Sequence, residues 1–79
     1  MSRQYAIINE KESKHDENHI CLVAWLIELP YKDNDNTNFR VAEYSTHILI
    51  MGSSSPYLAY GNYHGINLLG AIQDFQTRD

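Results

Sequence analysis

The sequence predicts an α+β domain. Three or four antiparallel strands form a meander, and one C-terminal helix packs across one face of the sheet. Three observations predict it. Residues 20–29 (ICLVAWLIEL) hold nine apolar positions in ten and stop at Pro30. Shorter apolar stretches flank this run, separated by clusters of Asn, Asp, Gly, Ser and Pro, which are turn formers. Only residues 63 to about 77 space their apolar side chains at helical intervals. All 79 residues fit in a single domain, 1–79. A chain of this size buries roughly 60% of its unfolded surface and is marginal alone.

Residues 4–9 (QYAIIN) read as the first strand, with Tyr5 and Ile7 on one face and Ala6 and Ile8 on the other. Residues 10–18 (EKESKHDEN) are polar and read as a solvent-exposed connection. His15 and His19 lie four apart there, a spacing that a helix turns into a zinc-binding face. Asp16 stands where the zincin pattern needs Glu, and His19 opens a strand, so no metal or other cofactor is expected.

The run at 20–29 reads as the central strand because Val23, Trp25 and Ile27 are β-branched or aromatic. Cys21, Val23, Trp25, Ile27 and Leu29 form one face; Ile20, Leu22, Ala24, Leu26 and Glu28 form the other. An antiparallel strand with one face in water alternates apolar with polar, and this one does not. One helix covers one face only. The second face needs loops, a second copy or another partner, and Ile20, Leu22 and Leu26 are the expected oligomer interface of a homodimer.

Residues 31–38 (YKDNDNTN) read as a hairpin loop. Asp33, Asp35 and Thr37 have calcium-loop spacing, but Asn38 replaces the required Gly and Tyr44 the required Glu. Loop tips often carry binding residues, so Asp33 and Asp35 are candidate partner contacts. Residues 39–51 (FRVAEYSTHILIM) read as the third strand. Phe39 and Val41 lie on one parity and Ile48 and Ile50 on the other, which predicts either a β-bulge near 43–46 or two short elements. Residues 52–56 (GSSSP) form a turn without the Lys of a phosphate loop, and 57–60 (YLAY) read as a short fourth strand.

In the helix, Leu68, Leu69, Ile72 and Phe75 share a stripe, with Gly65 and Gln76 inside it. Asn62 or His64 is the expected cap. Gly70 falls on the outer face, where it costs about 1 kcal/mol against Ala and marks a candidate point of partner approach. Residues 65–72 (GINLLGAI) resemble the closing helix of a family of short uncharacterised bacterial proteins, whose segment reads Gly-Val-Asp-x-x-Gln-Ala-Leu. Gly65 and Ala71 match it; Ile66, Asn67, Gly70 and Ile72 depart from it. The resemblance implies strands followed by a helix, and it carries no activity.

Composition narrows the function. Ten acidic residues against six basic leave a net charge of −4, with no basic cluster, so direct binding to nucleic acid is not expected. A basic protein partner, such as a nucleic-acid-processing complex, suits this charge. Cys21 is the only cysteine, which excludes an internal disulfide and fits a reducing cytoplasm. No apolar stretch is long enough for a signal-peptide core or a membrane span. Ser53, Ser54, Ser55, His47 and His64 show no catalytic spacing, so an enzyme is not expected. Three of six tyrosines, Tyr57, Tyr60 and Tyr63, lie close together, and Tyr is enriched in interfaces. The expected function is a small inhibitor or immunity-type antagonist of a larger protein, a class that includes phage-encoded anti-CRISPR proteins. The alternative is a homo-oligomeric adaptor.

Overall fold

The computed structural model describes residues 3–79. Four strands, β1 (Gln4–Glu12), β2 (His19–Asp33), β3 (Asn36–Ile50) and β4 (Tyr57–Tyr63), precede one helix, α1 (Leu68–Thr77). The sheet order is β1-β2-β3-β4, and every pair is antiparallel. This is the meander-plus-helix layout that the sequence predicts.

The strands run further than their apolar residues. Glu10, Lys11 and Glu12 pair with Cys21, Ile20 and His19 instead of forming a loop. The expected loop at 31–38 is the end of one long hairpin. Asn34 and Asp35 turn it with φ of 50° and 66°, the left-handed pair that a type I′ hairpin turn requires and that Asn and Asp tolerate. The parity change in β3 is a bulge: Trp25 pairs with Glu43, the next β2 residue, Leu26, with Val41, and Ala42 is left over.

The helix begins later than its spacing suggests. Tyr63 ends β4, and His64 and Gly65 still bond to Tyr44 of β3. Gly65 turns the chain at φ +56°. Asn67 is the cap, its side chain accepting from the Gly70 N–H at 3.0 Å, in place of the expected Asn62 or His64. The buried face is rotated as well. Ala71 and Phe75 point inward, while Leu69 is 67% exposed. Gly70 is half-buried, not on the outer face, and a Cβ there would sit 2.6 Å from the Asn67 side chain. The helix cap is thus an internal reason for this glycine.

Two apolar clusters lie on opposite faces of β2. Ile20 and Leu22 pack under Ala71 and Phe75, with Tyr44, Ile48 and Ile72 around them. Ile20 and Leu22 are 1% and 3% exposed, so they are core residues and not the oligomer interface that the sequence suggests. Their parity is the one that α1 covers. Leu26, further along, stays half-buried. On the other face Cys21, Val23 and Leu49 form a cluster with Trp25 of β2, Leu58 of β4 and Met51, just past β3, packed against it. These side chains bury the middle of that face, for which the sequence called on loops, a second copy or another partner; Ile7 and Ile27 on it stay 40% exposed.

The hairpin outruns its neighbours. β1 pairs with β2 only as far as Gln4 with Leu26. Beyond the Tyr63–Ser45 pair, the β4 side reaches only Tyr44, through His64 and Gly65. Among the described residues nothing flanks the remainder, about 27–41. It projects as a two-stranded arm from a molecule measuring 45 × 31 × 20 Å.

Candidate partner-binding surface

The arm carries apolar side chains on both faces. At its base Leu26 pairs with Val41, and within it Glu28 pairs with Phe39, on the α1 side; Ile27 pairs with Arg40 on the other. Ile27, Tyr31 and Phe39 are 40%, 61% and 40% exposed. Between the Glu28–Phe39 and Lys32–Thr37 pairs, three β2 residues face one β3 residue, with Pro30 in the middle. Proline lacks an N–H and sits at sheet edges and bulges, so it breaks the ladder at this point. Asp33 and Asp35 stand exposed at the tip.

A line of aromatic rings crosses the sheet face opposite α1. Tyr5 and Trp25 lie 5.2 Å apart between centroids, Trp25 and His47 5.9 Å, and His47 and Tyr63 5.5 Å. Register places them there, because Tyr5 pairs with Trp25, Cys21 with His47 and Ser45 with Tyr63. Hydrogen bonds thread the line. The Trp25 indole N–H donates to Ser45 Oγ at 2.7 Å. Ser45 Oγ lies 3.2 Å from His47 Nδ1, and Tyr63 Oη 3.4 Å from His47 Nε2. Ser45 is fully buried, so its own hydrogen needs an acceptor. Assigning it to His47 Nδ1 satisfies the chain and leaves Nε2–H to donate to Tyr63. Burial, together with the Arg78 charge, holds the His47 imidazole below its ordinary pKa. That direction favours the neutral ring, which this wiring requires. Ser45 is closed to any substrate, so the Ser–His pair presents no exposed nucleophile.

Gly61 makes room for that ring. A Cβ there would lie 2.5 Å from His47 Nε2 and 3.0 Å from Tyr63 Cε2. His47 is 4% exposed and hydrogen-bonded at both nitrogens. Gly61→Ala is therefore expected to destabilise the fold by about 1–3 kcal/mol, read as a lower urea midpoint. An unchanged midpoint would mean that the imidazole moves freely aside.

The α1 side holds a polar hub. Asp74 Oδ2 accepts from Thr46 Oγ1 at 2.7 Å, His64 Nε2 at 2.9 Å and Asn62 Nδ2 at 3.3 Å. Arg78 donates to the Thr46 carbonyl at 3.1 Å, to Thr46 Oγ1 at 3.0 Å, and to the Tyr60 carbonyl. These bonds clamp the helix to β3 and β4. Cys21 is buried, and desolvation, reinforced by the Glu10 charge, pushes its thiol up to about 11, which makes it a packing residue. His19 bonds to Glu10, and His15 lies in an exposed bend, so the two histidines do not share a helix. Among the described residues no group of three or more His, Cys, Asp or Glu stands ready to hold a metal. No helix among them is long and apolar enough to cross a membrane.

The expected contact residues are at the surface but apart. Tyr57, Tyr60 and Tyr63 are 53%, 73% and 56% exposed. Tyr57 pairs with Ile50 on the α1 side, and Tyr63 with Ser45 on the opposite side. Tyr60 sits in the β4 irregularity at φ 51°. Adjacent in sequence, they do not share one sheet face. The arm and the Tyr5–Trp25–His47 line are what sequence reasoning missed; the shared parity of Trp25 with Val23 and Ile27 hid Trp25 inside an apolar run. No protein-family model matches the chain, and no curated protein or solved structure matches it significantly.

Proposed function

We propose that the protein is a small non-enzymatic binding protein, an inhibitor or immunity-type antagonist of the kind carried by phages and mobile elements, that grips a larger protein with its β2–β3 arm. One observation carries this reading. The arm exposes Ile27, Tyr31 and Phe39 on a ribbon that no other element flanks among the described residues. A lone two-stranded hairpin is marginal in water. Burying it in a partner gains about 25 cal/mol for each Å² of apolar surface removed from water. The acidic tip and the net charge of −4 favour a basic surface, such as the groove of a nucleic-acid-processing complex, and an arm seated there acts by occlusion. The homodimer reading loses Ile20 and Leu22, which α1 covers. The β1 edge is a poor substitute, since the bulge at Ile8 and the charges on Glu10, Lys11 and Glu12 discourage strand addition.

The test is a pull-down with tagged protein from nuclease-treated lysate of its natural setting, read by mass spectrometry and run beside Phe39→Asp. Phe39 is half in water, so this variant is expected to melt close to the parent. It is expected to lose about 2 kcal/mol of binding, roughly thirtyfold in affinity, for one stoichiometric partner that survives nuclease. Equal recovery by both proteins would refute the arm as the binding element.

A further inference from the structure

The face opposite α1 already holds a cation, and it is the protein's own. The Arg3 guanidinium lies over the Trp25 ring, 4.7 Å from its centroid. Its Nη2 donates to Glu43 Oε1 at 2.8 Å. Tyr5 leans on the same indole at an interplanar angle of 55°. Tyr5 and Glu43 are the two cross-strand partners of Trp25, one on each side. Sheet register therefore sets the aromatic floor, the aromatic wall and the carboxylate side by side. The indole cannot swing away, because its N–H is committed to buried Ser45. Arg3 is held more loosely. It precedes β1, its side chain is 53% exposed, and it makes one of the two bonds that a guanidinium can share with a carboxylate.

We propose that Trp25, Glu43 and Tyr5 form a recognition site for an arginine of the protein partner, and that Arg3 occupies it until that arginine displaces it. This deepens the binding reading above and rests on it. The chemistry favours arginine over lysine, since a planar guanidinium stacks on the indole and still presents its fork to Glu43. Position links the site to the arm, which begins two residues further along β2, at Ile27, with Arg40 across from it. A partner that closes on the arm meets the cradle at its base. Charge agrees, because a protein of net charge −4 draws a basic surface to that spot. Arg3 then acts as a competitor that lowers the apparent affinity for any incoming arginine.

Trp25 is the only tryptophan, so its fluorescence reports the site directly. The probes are hexaarginine and hexalysine peptides, titrated into the parent, Arg3→Ala, and Arg3→Ala combined with Glu43→Gln, with each fold checked by circular dichroism. Arg3→Ala is expected to bind hexaarginine about tenfold more tightly than the parent does, and more tightly than it binds hexalysine. Adding Glu43→Gln is expected to abolish that gain. Equal binding of the two peptides to Arg3→Ala, or no effect of Glu43→Gln, would overturn the site and leave only diffuse attraction to an acidic surface. The pull-down separates the two readings. Full partner recovery by the double variant sinks the cradle while the arm stands; recovery lost by the double variant and kept by Phe39→Asp supports the cradle and sinks the arm.

Discussion

Leu22→Asp is expected to unfold the protein, while Leu26→Asp leaves a folded domain. The two leucines share a face of one strand, and the helix separates their fates. Leu22 is 3% exposed beneath Ala71 and Phe75. Replacing it removes about 2–3 kcal/mol of apolar burial. It also puts a carboxyl where no water reaches, which costs several kcal/mol more whether the group stays charged or takes a proton. At roughly 0.05–0.15 kcal/mol per residue a domain of this length has about 4–12 kcal/mol in all. The sum of the two losses therefore reaches the whole stability. Leu26 lies where β1 ends beside β2, half-buried and opposite Gln4 and Val41. A carboxylate there turns to solvent, and a loss of about 1–2 kcal/mol is expected. Far-UV circular dichroism with urea checks both. A cooperative transition at the parental midpoint in Leu22→Asp would mean that α1 does not rest on β2.

What the sequence made legible, and what it hid, follows from how far each interaction reaches along the chain. The central strand, the meander and the presence of one late helix rest on local patterns: a long apolar run, turn residues and one helical spacing. The β3 bulge was legible for the same reason, since Phe39 and Val41 change parity with Ile48 within a few residues. Strand length was not. Polar residues 10–12 and 31–38 join the ladder because backbone pairing needs no apolar side chain once a hairpin is closed, and Asn34 and Asp35 close it. The face of α1 was misread because Asp74 turns inward and Leu69 outward. Polar burial there depends on Thr46, 28 residues away, and no helical periodicity encodes that partner.

The site divides the same way. Exposure of the three tyrosines and of the acidic tip agrees with their turn and edge contexts. The arm is a difference in length between β2–β3 and its two neighbours, so it appears only once all four registers are known. Arg3 and Glu43 are 40 residues apart, and nothing local marks either. Gly70 shows the reverse case: singled out for an external partner, it has an internal reason in the Asn67 side chain, which no local pattern announces.

Asp74→Ala is expected to cost about 2–4 kcal/mol, and Asp74→Asn much less, because the amide oxygen still accepts. One carboxylate oxygen serves Thr46, His64 and Asn62. Thr46 is fully buried, so truncation leaves its hydroxyl hydrogen without an acceptor. The same residue gives the acid limb of stability. Burial pushes the Asp74 carboxyl up; the hydrogen bonds from Thr46, His64 and Asn62 outweigh it and hold the group below its ordinary 3.8. As pH falls, the unfolded chain takes the proton first. The stabilisation is complete well above the unfolded value, starts to fade near about pH 5, and is lost as pH drops through the lower folded value. The slope contributed by one proton is at most about 1.4 kcal/mol per pH unit. Urea midpoints measured from neutral pH down to about pH 3 are therefore expected to converge for the parent and Asp74→Asn, since protonation removes from the parent what the substitution removed already. Parallel curves with a constant gap would place the acid limb elsewhere and reduce the hub to a packing contact.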